Sequence, residues 1–438
     1  MRLKSLLLPP LAFAATTIAQ AQTYFPPIGE NSWETVDPSA LGYHADSLAA
    51  LDQFLEGSNS DAFLLLKDGR IVHEAYYNDF EPDQLHLWNS SGKSLNAVLV
   101  GTLVANGDLD LDAPVSDYLG DGWTSCDLAD ERRITVRHML TMTSGLSPSG
   151  ADNCTDAACL SCEVPPDTRW DYNTAATTLL LGVIESASGQ TLNRYTREAL
   201  QSSTGISGLW REVGYNRTFA STARVFARWG LLMTNDFAWD GAAIVDEGDY
   251  VSSLTNPSQT YNPSYGYLFW LNGQDSYRLP GIRVAFPGPL SEAAPQDAVF
   301  SLGKNGQIAA AYASDGLTWV RFGSADASAG SLVGAAYANE IAGRVARLAG
   351  TSSVLAKAAL PSRLALYPNP THERLIVAGE TELVRVEVLD ELGREVSYTA
   401  GLAEDETSVD VTGLPGGVYV VRAYDSGGMV GVATFVKE

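Results

Sequence analysis

The stretch 87–101, LWNSSGKSLNAVLVG, constrains the fold more than any other part of the chain. A polar run, Asn89-Ser90-Ser91-Gly92-Lys93-Ser94, opens directly into a mostly apolar segment over 95–100. Such a segment forms a buried helix with the serines at its N-terminal end, and Asn106-Gly107 is a pair that stops it. Ser90 and Lys93 are three apart, so on a helix they share a face and their side chains can meet. The helix end offers unpaired N–H groups and the positive end of a dipole, which suit a serine that must become an alkoxide. A lysine kept from water beside it has its pKa pushed down and can act as the base. Spacing alone does not choose this pair, because Ser301-Leu302-Gly303-Lys304 fits it too.

At 438 residues the chain has room for two or three domains. Its net charge of −24 argues against a nucleic-acid or anionic-membrane partner, since both need Lys/Arg patches. Lysine is scarce: only Lys4, Lys67, Lys93, Lys304, Lys357 and Lys437 occur, so one at each Ser-x-x-Lys position stands out. Arg2 and Lys4, the apolar run 6–15 and Ala19-Gln20-Ala21 make a secretory signal over 1–21, leaving Gln22 as the first mature residue. No later run approaches the ~18 apolar residues of a spanning helix, so no transmembrane segment is expected after signal removal. Export puts Cys126, Cys154, Cys159 and Cys162 in an oxidising compartment, where an even number favours two disulfides in one of three pairings. Cys159 and Cys162 also make a C-x-x-C, the start of a zinc site. No second C-x-x-C exists and no histidine lies inside the cluster, so neither a metal nor a cofactor is expected.

Along the chain, 44–55 has helical spacing, and 62–66 and 71–77 flank the turn Asp68-Gly69 as a β-hairpin. Helical signal follows over 134–140, with Thr135 as N-cap, then over 179–186, 220–233 and 331–348. Strands are expected over 265–272, 298–302, 308–312 and 317–322. Strands and helices at both ends with a mostly helical middle indicate an α+β domain whose sheet is closed by both termini. A small, Ser/Ala-rich stretch over 350–361 reads as a linker. Beyond it, short alternating runs and Gly/Pro turns over 362–438 indicate a small β-sandwich.

Acyl transfer by serine needs a nucleophile, a base, a proton shuttle and an oxyanion hole. Ser90 and Lys93 supply the first two. Tyr172 in Tyr172-Asn173-Thr174 is the candidate shuttle, since a phenol near cationic lysines relays a proton more easily. Lys304-Asn305-Gly306 is the candidate oxyanion element, with the N–H of Gln307 facing the oxyanion and Lys304 adding positive charge. In this order the three motifs resemble those of the penicillin-recognising serine hydrolases. That group includes class C β-lactamases, D-alanyl-D-alanine peptidases, family VIII esterases and nylon-oligomer hydrolases. ITVRHMLTMTSGL over 134–146 and GDLDLDAPVSDYL over 107–119 also resemble stretches these proteins carry, and the resemblance spans about 40–348. It implies a β-lactamase/transpeptidase-like fold: an antiparallel sheet flanked by helices, plus a mostly helical subdomain. It also settles the duplicate, because the family's nucleophile lies early, on a helix, and Lys304 already belongs to the third motif. The second motif departs from the usual Tyr-x-Asn: position 174 is Thr and the asparagine stands at 173. In β-lactamases that asparagine binds the substrate's amide side chain, so a small ester or a different amide is the expected substrate. A β-lactamase, a D-amino-acid peptidase or a non-catalytic surface binding protein on the same fold are the alternatives.

Tyr367-Pro368-Asn369-Pro370, Asp390-Glu391-Leu392-Gly393 and Gly417-Val418-Tyr419 resemble pieces of the type A sorting domain of type IX secretion. That resemblance implies export through the periplasm of a Gram-negative cell and contact with the type IX machinery. The expected division is thus 1–21 signal, 22–349 hydrolase, 350–361 linker and 362–438 sorting domain.

Overall fold

The computed structural model describes residues 22–30, 32–147, 154–324, 334–350 and 364–438. The signal at 1–21 and nearly all of the 350–361 linker lie outside the described residues. Six strands form one antiparallel sheet in the order Arg70–Tyr76, Ser60–Lys67, Leu317–Gly323, Gln307–Tyr312, Val299–Gly303, Trp270–Leu271. The first two are the expected hairpin, turning at Asp68 and Gly69, both with left-handed φ. Ser60–Lys67 pairs on its other side with Leu317–Gly323, so the early and late parts of this unit close one sheet. Every residue of Gln307–Tyr312 and Leu317–Gly323 is buried, which requires cover on both faces. Helices Ala45–Gly57, Ala223–Thr234 and Ala335–Ala346 supply it.

Gly92–Asn106 is the buried helix expected after the serine run, with Gly92 through Leu103 all buried. It packs on helix Thr174–Ser188 and on the sheet edge at Val299–Gly303, which explains why its sequence has no polar stripe. Gly107, at φ 77°, caps it with N–H bonds to Leu103 and Val104. Among the described residues no helix is long and apolar enough to cross a membrane. The cysteines form Cys126–Cys162 and Cys154–Cys159, which uses all four thiols.

Two stretches differ from the sequence expectation. Ala220 belongs to strand Asn216–Ser221, and the helix starts only at Ala223, where the Thr222 side chain accepts from Val225 N. Periodicity there blurred a strand into the helix that follows it. In 265–272 only Trp270–Leu271 pairs as strand, because Leu268 turns to φ 61° and its carbonyl accepts from Ser94 Oγ at 2.7 Å. The C-terminal strands, Ala365–Tyr367 to Gly428–Lys437, form a small β unit with its own core of Leu375, Val377, Leu383, Val386, Val388 and neighbours. Its strands belong to a single hydrogen-bonded network, joined through the long Arg374–Leu389/Glu395–Asp410 hairpin.

Gly101 gives a stability test of the nucleophile helix. Alanine normally favours a helix interior over glycine by about 1 kcal/mol. Here an added Cβ would stand 2.6 Å from Cε1 of Tyr250 and 3.1 Å from Cγ1 of Val245. Tyr250 cannot swing aside cheaply, since its buried hydroxyl donates to Ala97 O at 2.6 Å. Overlap therefore outweighs propensity, and Gly101→Ala is expected to lose about 1–3 kcal/mol, read as a lower urea midpoint.

Candidate active site

Ser90 lies in the 3-10 turn Asn89–Ser91 that feeds the Gly92–Asn106 helix. Trp88, fully buried, anchors the turn from behind: its N–H donates to Phe219 O and its Nε1 to Ser221 Oγ, both at 2.8 Å. Asn89 takes a left-handed φ of 51°, while its Nδ2 donates to Lys304 O at 3.0 Å and its carbonyl accepts from Thr218 Oγ1 at 3.2 Å. The turn is thus held from two sides, and only part of Ser90 stays open to solvent.

Lys93 Nζ donates to Ser90 Oγ at 2.9 Å. Lys93 is only 6% exposed, and burial alone pulls its pKa down to about 7. The other serines are occupied. Ser91 Oγ and Ser301 Oγ lie 2.6 Å apart, and Ser301 Oγ donates to Ser91 O at 2.8 Å, both residues being buried. Ser94 is buried against the Leu268 carbonyl. The duplicate Ser-x-x-Lys at 301–304 is therefore a structural seam between turn and sheet.

Tyr172 sits just before helix Thr174–Ser188, with its ring stacked on Trp270 and edge-on to Tyr265. Lys93 Nζ lies 5.1 Å from its ring centroid. Burial raises the Tyr172 pKa well above the ordinary phenol value, a hydrogen bond with Ser90 opposes the rise, and Tyr215 adds to it. Tyr172 is therefore a neutral phenol at physiological pH. The expectation that nearby lysines ease its ionisation is corrected: no lysine charge figures in the shift, and burial governs it. Tyr215 escaped sequence reasoning. It stands in the turn between strands Leu209–Val213 and Asn216–Ser221, and only that fold-back brings it near Tyr172.

Asn173 is hydrogen-bonded within the fold. It is buried and caps the helix, its Oδ1 accepting from Ala176 N at 2.9 Å. Lys304-Asn305-Gly306 forms a tight turn against the Ser90 turn, with Asn305 at φ 65° and Gly306 at φ 74°. Contact is made by backbone: a Cβ on Gly303 would meet Trp88 O at 2.5 Å and Ser91 N at 2.9 Å. The Lys304 side chain is exposed, and burial rather than its charge lowers the Lys93 pKa. Gln307 is fully buried, with its amide joined to Gly323 by Nε2–O at 2.6 Å and N–Oε1 at 3.1 Å. A second residue outside the motifs braces this turn. Arg321 is fully buried, makes no carboxylate ion pair among the described residues, and donates to Asn305 O (2.7 Å), Gly306 O (3.1 Å), Ser60 Oγ (2.9 Å), Ser58 O (3.1 Å) and Asn59 O (2.9 Å).

A shallow, open depression lined by Thr35, Val36, Ile71, His73 and Glu74 lies elsewhere, at the outer edge strand, and contains none of these groups.

Residues 49–343 match the Beta-lactamase family, two thirds of the chain. The chain belongs to that family. Residues 365–438 of this beta-lactamase-family protein match a second family, the secretion system C-terminal sorting domain. A 6-aminohexanoate-dimer hydrolase of Paenarthrobacter ureafaciens is 24% identical over 280 residues, covering 55% of this chain and 71% of the relative. A family VIII carboxylesterase structure shares the fold at TM-score 0.51 and 17% identity, over 70% of this chain and 99% of that one. A penicillin-binding protein homologue from Caulobacter crescentus does so at TM-score 0.50 and 16% identity, over 70% and 99%. The beta-lactamase-family chain is a serine hydrolase, and its sorting domain marks it for secretion.

The Arg321 brace predicts a measurable loss. Arg321→Met leaves five acceptors short of a donor in a buried place, and is expected to cost about 3 kcal/mol or more in urea unfolding.

Proposed function

We propose that this protein hydrolyses small esters, and some amides, through an acyl-enzyme on Ser90. The observation that carries the reading is the 2.9 Å hydrogen bond from buried Lys93 to Ser90, with every competing serine nearby already bonded elsewhere. Neutral Lys93 takes the Ser90 proton as Oγ bonds to the substrate's carbonyl carbon. The oxyanion forms against backbone N–H groups where the 303–307 turn meets Asn89–Ser91. Tyr172, a neutral phenol hydrogen-bonded to Ser90, passes a proton to the departing alkoxide or amine and is reprotonated from Lys93. Water then attacks the acyl carbon, Lys93 and Tyr172 take its proton and pass it to Ser90 Oγ as the C–Oγ bond breaks, and the acid leaves.

Esters are favoured because Asn173 is committed to its helix cap, so the second motif offers no free asparagine to an amide side chain. Amide cleavage stays in range, since one relative is named for an amide-linked dimer. The chain divides into signal 1–21, hydrolase 22–349, linker 350–361 and sorting domain 362–438. Export runs through the periplasm of a Gram-negative cell, and the type IX machinery delivers the enzyme to the outer surface or medium.

Ser90→Ala should lower kcat on a p-nitrophenyl ester by ~10⁴-fold, and mass spectrometry should place the acyl adduct on Ser90. Near-normal turnover by that variant would sink the assignment. A panel of short esters, linear amide oligomers, D-amino-acid amides and a cephalosporin ranks the substrate classes, esters being expected first.

The lysine gives a pH profile. Catalysis needs its free base, so kcat/KM should rise with pH and level off above about 7. The stability effect has a definite sign. Unfolded lysine holds its proton to about 10.4, whereas buried Lys93 releases it near 7, so stability rises with pH between those values. The penalty is therefore full below about 7. Lys93→Met should be inactive yet melt higher than the parent at pH 6, and a lower melting point there would contradict the burial argument.

A further inference from the structure

A short segment of the hydrolase looks two ways. In 282–286, alternate side chains Ile282, Val284 and Phe286 are buried in one cluster with Leu389 and Val420 of the C-terminal unit. Arg283 N also donates to Glu391 O at 2.9 Å. The Arg283 side chain points the other way. Its guanidinium bonds Asp171 (Nε–Oδ1 3.1 Å, Nη2–Oδ2 3.2 Å) and Glu163 (Nη2–Oε2 3.0 Å). Asp171 precedes Tyr172, and Glu163 follows disulfide-bonded Cys162. Two opposite faces, one residue out of phase, are what an extended segment provides.

We propose that the C-terminal unit braces this strap and, through Arg283, keeps the mouth of the Ser90 site narrow. The inference rests on the reading of Ser90 above. The strap's own hairpin, Tyr277 paired and stacked with Phe286, survives without the C-terminal unit, but it then loses its apolar backing. Tyr172 does not depend on the brace: Asp171 N donates to Met142 O at 3.0 Å, and Trp170, Tyr265 and Trp270 surround the ring. Undocking therefore changes access and leaves the chemistry in place. The unit that directs export would also restrict the enzyme to small substrates until it departs.

The test uses the full chain in three forms: parent, Val284→Glu to undock the C-terminal unit, and Arg283→Ala to cut the link while it stays docked. A fourth form is cut by a site-specific protease at a site placed in 351–361. Hydrogen exchange over 276–290 and 389–393 reads docking without reference to turnover. Val284→Glu or cutting should raise exchange in both segments, and Arg283→Ala only in the first. Both variants should lower KM for a long-chain acyl ester by about fivefold, with kcat on p-nitrophenyl acetate held within about twofold. Undocking with unchanged KM overturns the proposal, as does unchanged exchange at 389–393 in both Val284→Glu and the cut chain. Ester turnover surviving Ser90→Ala would instead overturn the reading of the site, while the exchange data still decide the brace.

Discussion

Removing Lys93 from water is the event on which the site depends. An exposed ammonium would hold its proton far above physiological pH and leave Ser90 an ordinary alcohol. Placed one position into a helix whose next ten residues are all buried, the same group sits near neutrality. The surroundings that achieve this are apolar packing and aromatic rings, so burial is what lowers the pKa. Base strength is thus set by the core, and residues that never touch substrate help fix it.

The second requirement is that helix and sheet meet without play. Ser91 and Ser301 exchange hydrogen bonds across the join, Gly303 admits the turn's backbone at a distance no Cβ would allow, and Asn89 ties to Lys304. Arg321 fastens the far side of the same loop to Ser58, Asn59 and Ser60. A buried guanidinium is costly to desolvate, and five hydrogen bonds together with the Tyr337 ring 5.0 Å away offset that cost.

Much of this was legible in the sequence because local pattern and chemistry coincide at the key places. The apolar run after Lys93 gave both the helix and its burial, and Thr135 and Gly107 cap where their chemistry says they should. What could not be read are relations carried by tertiary approach. The bond between Ser91 and Ser301 spans 210 positions, so the duplicate motif looked like a rival when it is a seam. Asn173 carries the residue type of a substrate ligand, yet its backbone geometry makes it a cap. Tyr215 and Arg321 had no motif around them, and Leu268 broke an apolar run that alternation alone calls strand. The pairing of four cysteines likewise needed the fold.

The strand pairing also sets an order of events. Ser60–Lys67 lies beside Leu317–Gly323, and Arg321 reaches back 261 positions to Ser60. Neither the sheet nor the loop beside Ser90 can assemble until the last strand of the unit is available. Such high contact order slows folding and leaves early segments waiting for distant partners. For a secreted hydrolase that delay has a consequence: a chain still lacking its last strand holds its serine but not its active site. Reactivity then appears only once the whole domain has folded.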